Sequence, residues 1–319
     1  MQQPMDHLPY CHEYVSCYLC GADDTEDFLR VGDHYTGKPG LFRFVTCKQC
    51  GLVYQNPRLT LEEVKEFYDD NYVSHRKTSE NLGPLTPLVR HAMGAQDRAK
   101  VRLAQHYAQL GPTSRVLDVG CAVGSFLLSL HDRCGCAVHG VDFKDLSHFP
   151  GFDRLHFHPG LFYEQDFQGL TFDLITMWHF LEHCYDPLRS LKTAGSLLRQ
   201  GGRLLLEVPR LDSLTGKLFG SHWPGLQAPQ HTMLLTERSL RALVDRAGLT
   251  LLDYRCHGSF PIYFYFFTGC AFSLLRGKGL DLRSMVGPYF LGQLATYPLM
   301  KVLAKANVAM QLAVCETRG

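Results

Sequence analysis

Apolar residues along this chain gather into short unbroken runs separated by stretches of helical periodicity, the alternation expected of a mostly parallel sheet covered on both faces by helices. Arg115-Val-Leu-Asp-Val119 is one such run. It is followed by the tight turn Gly120-Cys-Ala-Val-Gly124 and then by Ser125-Phe-Leu-Leu-Ser-Leu130, which opens a helix. Cys136 to Asp142 reads as a second strand, and Arg154 to His158 as a third that charge and histidine interrupt. Phe172 to Trp178, Arg203 to Val208 and Leu249 to Tyr254 supply the fourth, fifth and sixth. Helices are expected from about Leu88 to Leu110, stopped by Gly111-Pro112, from an Asp186-Pro187 start to about Arg199, and from a Thr236 cap to Gly248. The predicted class is α/β, with a doubly wound, Rossmann-like sheet.

Two regions depart from that rhythm. Near the N-terminus, Cys17-x-x-Cys20 and Cys47-x-x-Cys50 form a pair of knuckles separated by a moderate loop, the spacing that offers four thiolates to a tetrahedral, structural zinc ion. Cys11 is a spare thiol, and His12 or His34 could stand in for one ligand. We therefore expect a zinc ribbon over residues 1–60. A helical leader and linker should follow over 61–86, with Thr60 capping a short helix that carries Leu61, Val64, Phe67 and Tyr68 on one side and a polar linker from 74 to 86. Residues 87–319 would form the main domain. Near its end, no charged side chain occurs from Cys256 to Leu275, and Phe260 to Phe267 is dense in aromatics. Residues 258–306 read as a hydrophobic insertion that packs on the domain or rests on a membrane surface, because Pro261 and Gly269 interrupt the run and its length barely spans a bilayer.

Composition changes this picture little. Lys+Arg number 32 and Asp+Glu 31, so no basic excess advertises a nucleic-acid face. The first residues lack a basic region followed by an apolar core, so a cytoplasmic protein is expected, peripheral to a membrane if the insertion meets one. In that compartment the 12 cysteines are metal ligands or reduced core residues before they are disulfides.

The strand, glycine turn and helix at 115–130, with an acid ending the next strand at Asp142, resemble the class I S-adenosylmethionine (SAM) methyltransferases. Asp118, Gly120 and Gly124 match their Asp-x-Gly-x-Gly-x-Gly motif, and Ala122 stands where the middle glycine would be. A dinucleotide dehydrogenase would need Gly-x-Gly-x-x-Gly for a pyrophosphate, and that spacing is absent. The resemblance implies SAM contacts from Asp118, Gly120, Cys121, Ala122 and Gly124, from Asp142 and Phe143, from Gly160, Leu161 and Phe162 after the third strand, and from Trp178 and His179 after the fourth. It also implies that Met310 to Thr317 is a final antiparallel strand. The ribbon, then Gly51-Leu-Val-Tyr54, Asn56-Pro-Arg58 and a tyrosine-bearing helix, is similar to the leader of bacterial zinc-ribbon methyltransferases, several of which modify nucleotide-linked deoxysugars at carbon or oxygen. That likeness puts Tyr68 and Tyr72 near the substrate.

Methyl transfer from a sulfonium is an in-line displacement, and a hydroxyl or activated-carbon acceptor must also lose a proton. Histidine suits that task near neutral pH. The candidates are His231, His183 and His179, with His231 expected on a long substrate lid between Pro209 and Leu235 that would also bring His222 and Trp223 to the substrate. His179-x-x-Glu182-His183 fits an inverted zinc-protease pattern, but it follows a strand and not an active-site helix. It is similar instead to the Glu-x-x-Glu-His of ubiquinone-pathway and small-RNA O-methyltransferases, which bind a divalent ion; here His179 replaces the first Glu. The expected activity is SAM-dependent methyl transfer to a small polar acceptor, a hydroxyl or activated carbon of a nucleotide- or lipid-linked sugar derivative. O-methylation of a phenol or hydroxyquinone, and a zinc-ribbon RNA-binding or scaffolding protein with a degenerate SAM fold, are the alternatives.

Overall fold

The computed structural model describes residues 10–68, 85–275, 282–303 and 305–318. Tyr72, and the expected linker up to residue 84, lie outside them. The N-terminal part folds as β1 (His12–Glu13), β2 (Thr25–Val31), β3 (Phe42–Cys47), β4 (Val53–Gln55), β5 (Arg58–Leu59) and α1 (Leu61–Val64). Each cysteine knuckle closes in the same way. Gly21 and Gly51, at φ of 78° and 80°, return their N–H groups to the carbonyls of Cys17 and Cys47, both at 2.8 Å. A side chain would be strained at that φ, which accounts for glycine directly after each second cysteine. Thr60 caps α1 by accepting from the Glu63 N–H at 3.4 Å. The helix tightens after one turn into a 3-10 turn over Lys65–Phe67, burying Val64, Phe67 and Tyr68.

The main domain continues as α2 (Thr86–Tyr107), β6 (Arg115–Val119), α3 (Ser125–Cys134), β7 (Ala137–Asp142), β8 (His156–Pro159), β9 (Phe172–Trp178), α4 (Pro187–Leu197), β10 (Leu198–Pro209), α5 (Leu214–Phe219), β11 (Met233–Leu234), α6 (Glu237–Arg246) and β12 (Leu249–Arg255). The insertion supplies α7 (Ile262–Leu275) and α8 (Leu282–Leu303), and β13 (Met310–Thr317) closes the chain. Seven strands form one sheet in the order β12-β13-β10-β9-β6-β7-β8, with β13 antiparallel to both neighbours and the pairs from β10 to β8 parallel. The chain reverses direction across the sheet between β6 and β9, so the carboxyl ends of those strands open a crevice. β10 begins at Leu198 and not at Arg203, because its first residue already pairs with Phe172 before the Gly201-Gly202 irregularity interrupts the ladder.

The long connection after β10 is not a detached lid. It contains α5, and its β11 joins the N-terminal sheet, whose order is β11-β4-β3-β2. Gln55, fully buried, donates its side-chain N–H groups to the carbonyls of Pro229 and His231, and its backbone N–H bonds to Thr232 O at 2.9 Å. Trp223 is core: its indole donates to Thr215 Oγ1 at 3.1 Å and its ring is buried. His222 stacks on His34 with ring centroids 5.4 Å apart. The ribbon and the connection therefore hold each other.

Gln55→Ala removes those side-chain donors and strands two buried carbonyls, a loss of about 1–3 kcal/mol. Urea denaturation followed by tryptophan fluorescence should give a lower midpoint at unchanged slope. An unchanged midpoint would mean that the connection is held by packing alone.

Candidate active site

At the crevice lies a pocket with a volume of about 310 Å³. Its floor is the turn between β6 and α3, with Gly120, Cys121, Ala122 and Val123 on the wall. Gly124 stands outside the lining; at φ 71° it turns the chain into α3, and a Cβ there would meet Leu155 at 2.9 Å. Ala122 is held at φ 47°, a left-handed conformation that an alanine adopts at a cost of about 1–2 kcal/mol. Its N–H donates to Asp142 Oδ2 at 3.0 Å, while the Lys144 N–H donates to Oδ1 at 3.1 Å. Two backbone donors thus orient the Asp142 carboxylate, and each oxygen keeps a lone pair for a ligand hydroxyl. Burial raises the Asp142 pKa to about 6 against those hydrogen bonds, and burial raises Asp118 to about 7 although Thr176 donates to it at 2.6 Å. Both acids sit where a bound cation or hydroxyl donor would restore the charged form.

The remaining walls bring together residues far apart in sequence. Phe143, Gly160, Leu161 and Phe162 lie on one side, and Trp178 and His179 at the end of β9 on another. The Trp178 indole N–H is buried without a hydrogen-bond partner, an unspent donor on the pocket wall. From α2 come Asp97 and Lys100, whose ammonium lies 5.4 Å from the Trp178 ring centre. The leader contributes Leu61, Val64, Lys65 and Tyr68, and the insertion contributes Phe260, Phe264 and Tyr265. Tyr68, expected near the substrate, lines the pocket, whereas Asp97, Lys100, Leu61, Val64, Lys65 and the three insertion aromatics are not singled out for it by the sequence, because nothing in their local pattern marks a ligand wall. A carboxylate with free acceptor capacity, an apolar slot and an open indole donor make a set that fits SAM.

The three histidines divide into two kinds. His179, at φ 56°, places Nε2 at 3.1 Å from Glu207 and Nδ1 at 3.5 Å from Glu182. Burial alone would lower its pKa, but the two carboxylates override it and raise it to about 9. An imidazolium held between two acids cannot take a proton, which removes His179 as the base. His183 and His231 behave oppositely. Their rings stand 4.4 Å apart edge to face, and burial lowers both to about 3. His231 Nδ1–H donates to Gly225 O at 2.8 Å, and His183 Nδ1–H to Gln230 O at 3.1 Å, with the Tyr68 hydroxyl 2.9 Å from the same nitrogen. In each neutral ring this places the lone pair on Nε2. Glu182 lies beside them, buried; its 3.5 Å contact to His179 is an ion pair, and neither carboxylate oxygen receives a hydrogen bond. One ligand atom from each of Glu182, His183 and His231 lies within 4.8 Å of the others. The Sγ atoms of Cys17, Cys20, Cys47 and Cys50 meet the same limit, in a donor set that suits tetrahedral zinc.

Asp142→Ala should weaken SAM binding about tenfold to a hundredfold, the loss of a charge-assisted contact worth roughly 1.5–3 kcal/mol. Calorimetry on the folded variant measures it, and unchanged affinity would detach Asp142 from the nucleoside.

Comparison with known proteins agrees with this geometry. Residues 90–254 match the family model described as a methyltransferase domain. The ubiquinone biosynthesis O-methyltransferase of Xanthomonas axonopodis pv. citri (strain 306) is 33% identical over 190 residues, covering 54% of this chain and 74% of that enzyme. The enzyme of the same name from Xanthomonas campestris pv. campestris (strain B100) is 34% identical over 135 residues, 40% of this chain and 53% of its own length. The chain thus spans about half the length of that second relative. Among solved structures, a mycolic acid cyclopropane synthase, CmaA1, complexed with SAH and CTAB superposes with a TM-score of 0.46 at 13% identity, covering 69% of this chain and 83% of that one. With its family model matched over more than half its length and a pocket that fits the methyl donor, the chain belongs to the methyltransferase-domain family and is a SAM-dependent methyltransferase.

Proposed function

We propose that this enzyme methylates a hydroxyl of an apolar acceptor, a phenol or hydroxyquinone, ahead of the deoxysugar derivative suggested by its leader. The observation that carries this is the placing of Glu182, His183 and His231 in a pocket also walled by Phe260, Phe264 and Tyr265. A buried carboxylate without a hydrogen-bond donor, beside two neutral imidazoles whose Nδ1–H groups are anchored on carbonyls, is the chemistry of a divalent-metal site. A cation there would lower the pKa of a hydroxyl that it binds. His231, expected from sequence to be the general base, is better suited to ligation, since burial holds it neutral far below physiological pH. The aromatic wall would receive the apolar body of the acceptor and exclude water from the transfer line. The names of the relatives support the same acceptor class.

Glu182→Gln keeps the shape of the group and removes its charge. With a catechol as probe acceptor and added Mg2+, Mn2+ or Zn2+, turnover should fall by about a hundredfold or more while SAM affinity holds. Metal-independent turnover in the native protein, or preference for a sugar nucleotide over catechols, would overturn the reading.

The reading also assigns one structural zinc to Cys17, Cys20, Cys47 and Cys50, countable by elemental analysis of the Glu182→Gln variant, in which the second donor cluster lacks its carboxylate. Because β11 belongs to the ribbon sheet and leads directly from His231, stripping this zinc should abolish methyl transfer while the SAM pocket still binds its ligand. Full activity in zinc-free protein would sink the assignment.

A further inference from the structure

The second helix of the insertion carries its apolar stripe outward. In α8, Leu291, Leu294 and Val302 are 72%, 76% and 79% exposed, and Ala295, Pro298 and Leu299 are exposed with them. Positions 291, 294, 295, 298, 299 and 302 recur at helical spacing, so they share one face. On the inner side the fit is close. A Cβ at Gly292 would come within 2.5 Å of Phe267 on α7, and one at Gly269 within 2.4 Å of Phe219 on α5. Those glycines let the insertion seat tightly on the domain while the leucine stripe remains uncovered. No described helix is long and apolar enough to cross a membrane.

Charge decides what covers the stripe. From residue 282 to 315 the sequence contains no acid and has Arg283, Lys301 and Lys305, a net charge of +3, while the rest of the chain sums to −2. A second copy docking on this face would bring like charge to like charge. An anionic lipid surface is attracted by the basic residues that precede and follow Leu291 to Leu299 in the sequence and takes up the exposed apolar side chains. We propose that α8 is a membrane-surface helix that docks this enzyme on anionic bilayers without spanning them. The docking stands whether the acceptor is a quinol, a sugar or anything else. It would also place the methyl-transfer pocket at the membrane, since the same insertion provides the pocket wall of Phe260, Phe264 and Tyr265.

The test is flotation of the full-length, zinc-loaded protein with vesicles of phosphatidylcholine alone or with phosphatidylglycerol, alongside a variant carrying Leu291→Gln, Leu294→Gln and Val302→Gln. All three side chains are exposed and outside the pocket, so the variant should fold and bind SAM as the native chain does. The native protein should float with the anionic vesicles, and the variant should bind them at least about tenfold more weakly. Where the triple variant loses SAM binding, Leu294→Gln alone is the comparison and must show the same direction of change. Equal flotation of native and variant protein, or equal binding to neutral and anionic vesicles, overturns the proposal. So does a native dimer in ultracentrifugation that the variant lacks, since it would give the stripe to a second copy.

Discussion

The site rests on a carboxylate that takes no part in the chemistry proposed for it. Glu207, near the carboxyl end of β10, is fully buried and receives the Ser259 and Phe260 backbone N–H groups, the Ser259 hydroxyl and His179 Nε2. Burial alone would push its pKa up, but the His179 imidazolium beside it keeps it low and ionised. An isolated buried charge would cost several kcal/mol; here four donors, one of them the His179 imidazolium, compensate for the lost water. The chain passes so close that Gly258 leaves no room for a Cβ, which would lie 2.2 Å from Glu207 Oε2. One residue therefore fixes both the turn after β9 and the point where the insertion leaves the sheet.

Two strained residues show how that fixation is used. Ala122 and His179 are both left-handed without being glycine, and both lie on the pocket wall. Each is held by a hydrogen bond from its own backbone N–H, Ala122 to the Asp142 carboxylate and His179 to Glu207 O at 2.8 Å. A conformation costing 1–3 kcal/mol persists only where neighbours overdetermine it. The alanine in place of the motif's middle glycine is thus accommodated by an acid that lines the same pocket, and turn and acid are two parts of one device.

Much of this was legible in the sequence. The apolar runs gave the strands, the Asp186-Pro187 and Thr236 caps gave the helix starts, and paired knuckles gave four clustered thiols, because each signal is local. What was hidden depends on contacts between distant segments. β11 is two residues long and becomes a strand only through Tyr54 and Val53, so no periodicity announces it. The connection after β10 was read as a lid because it is long, yet Gln55 and Trp223 bury it. Along the chain, the lid position ranks His231 ahead of His183 and His179 as the base. Two acids beside one and deep burial of the other two separate them, and neither influence can be seen along the chain.

That separation bears on how an acid-rich pocket can serve a cationic donor without losing its ability to handle a hydroxyl. Asp118 and Asp142 line the pocket, while the charge of His179 offsets part of that of Glu182, also in the lining, and of the buried Glu207 outside it. Glu182 shares its ion pair with His179 yet keeps both oxygens without hydrogen-bond donors, so it retains capacity for a further positive partner. The neutral histidines add lone pairs but no charge. A cation held by one half-compensated carboxylate and two neutral imidazoles would be a borderline one such as zinc or iron(II) before magnesium, whose preference is for oxygen ligands. His179 thus sets the electrostatics of the wall, because it places a cation beside Glu182 and holds that acid in place.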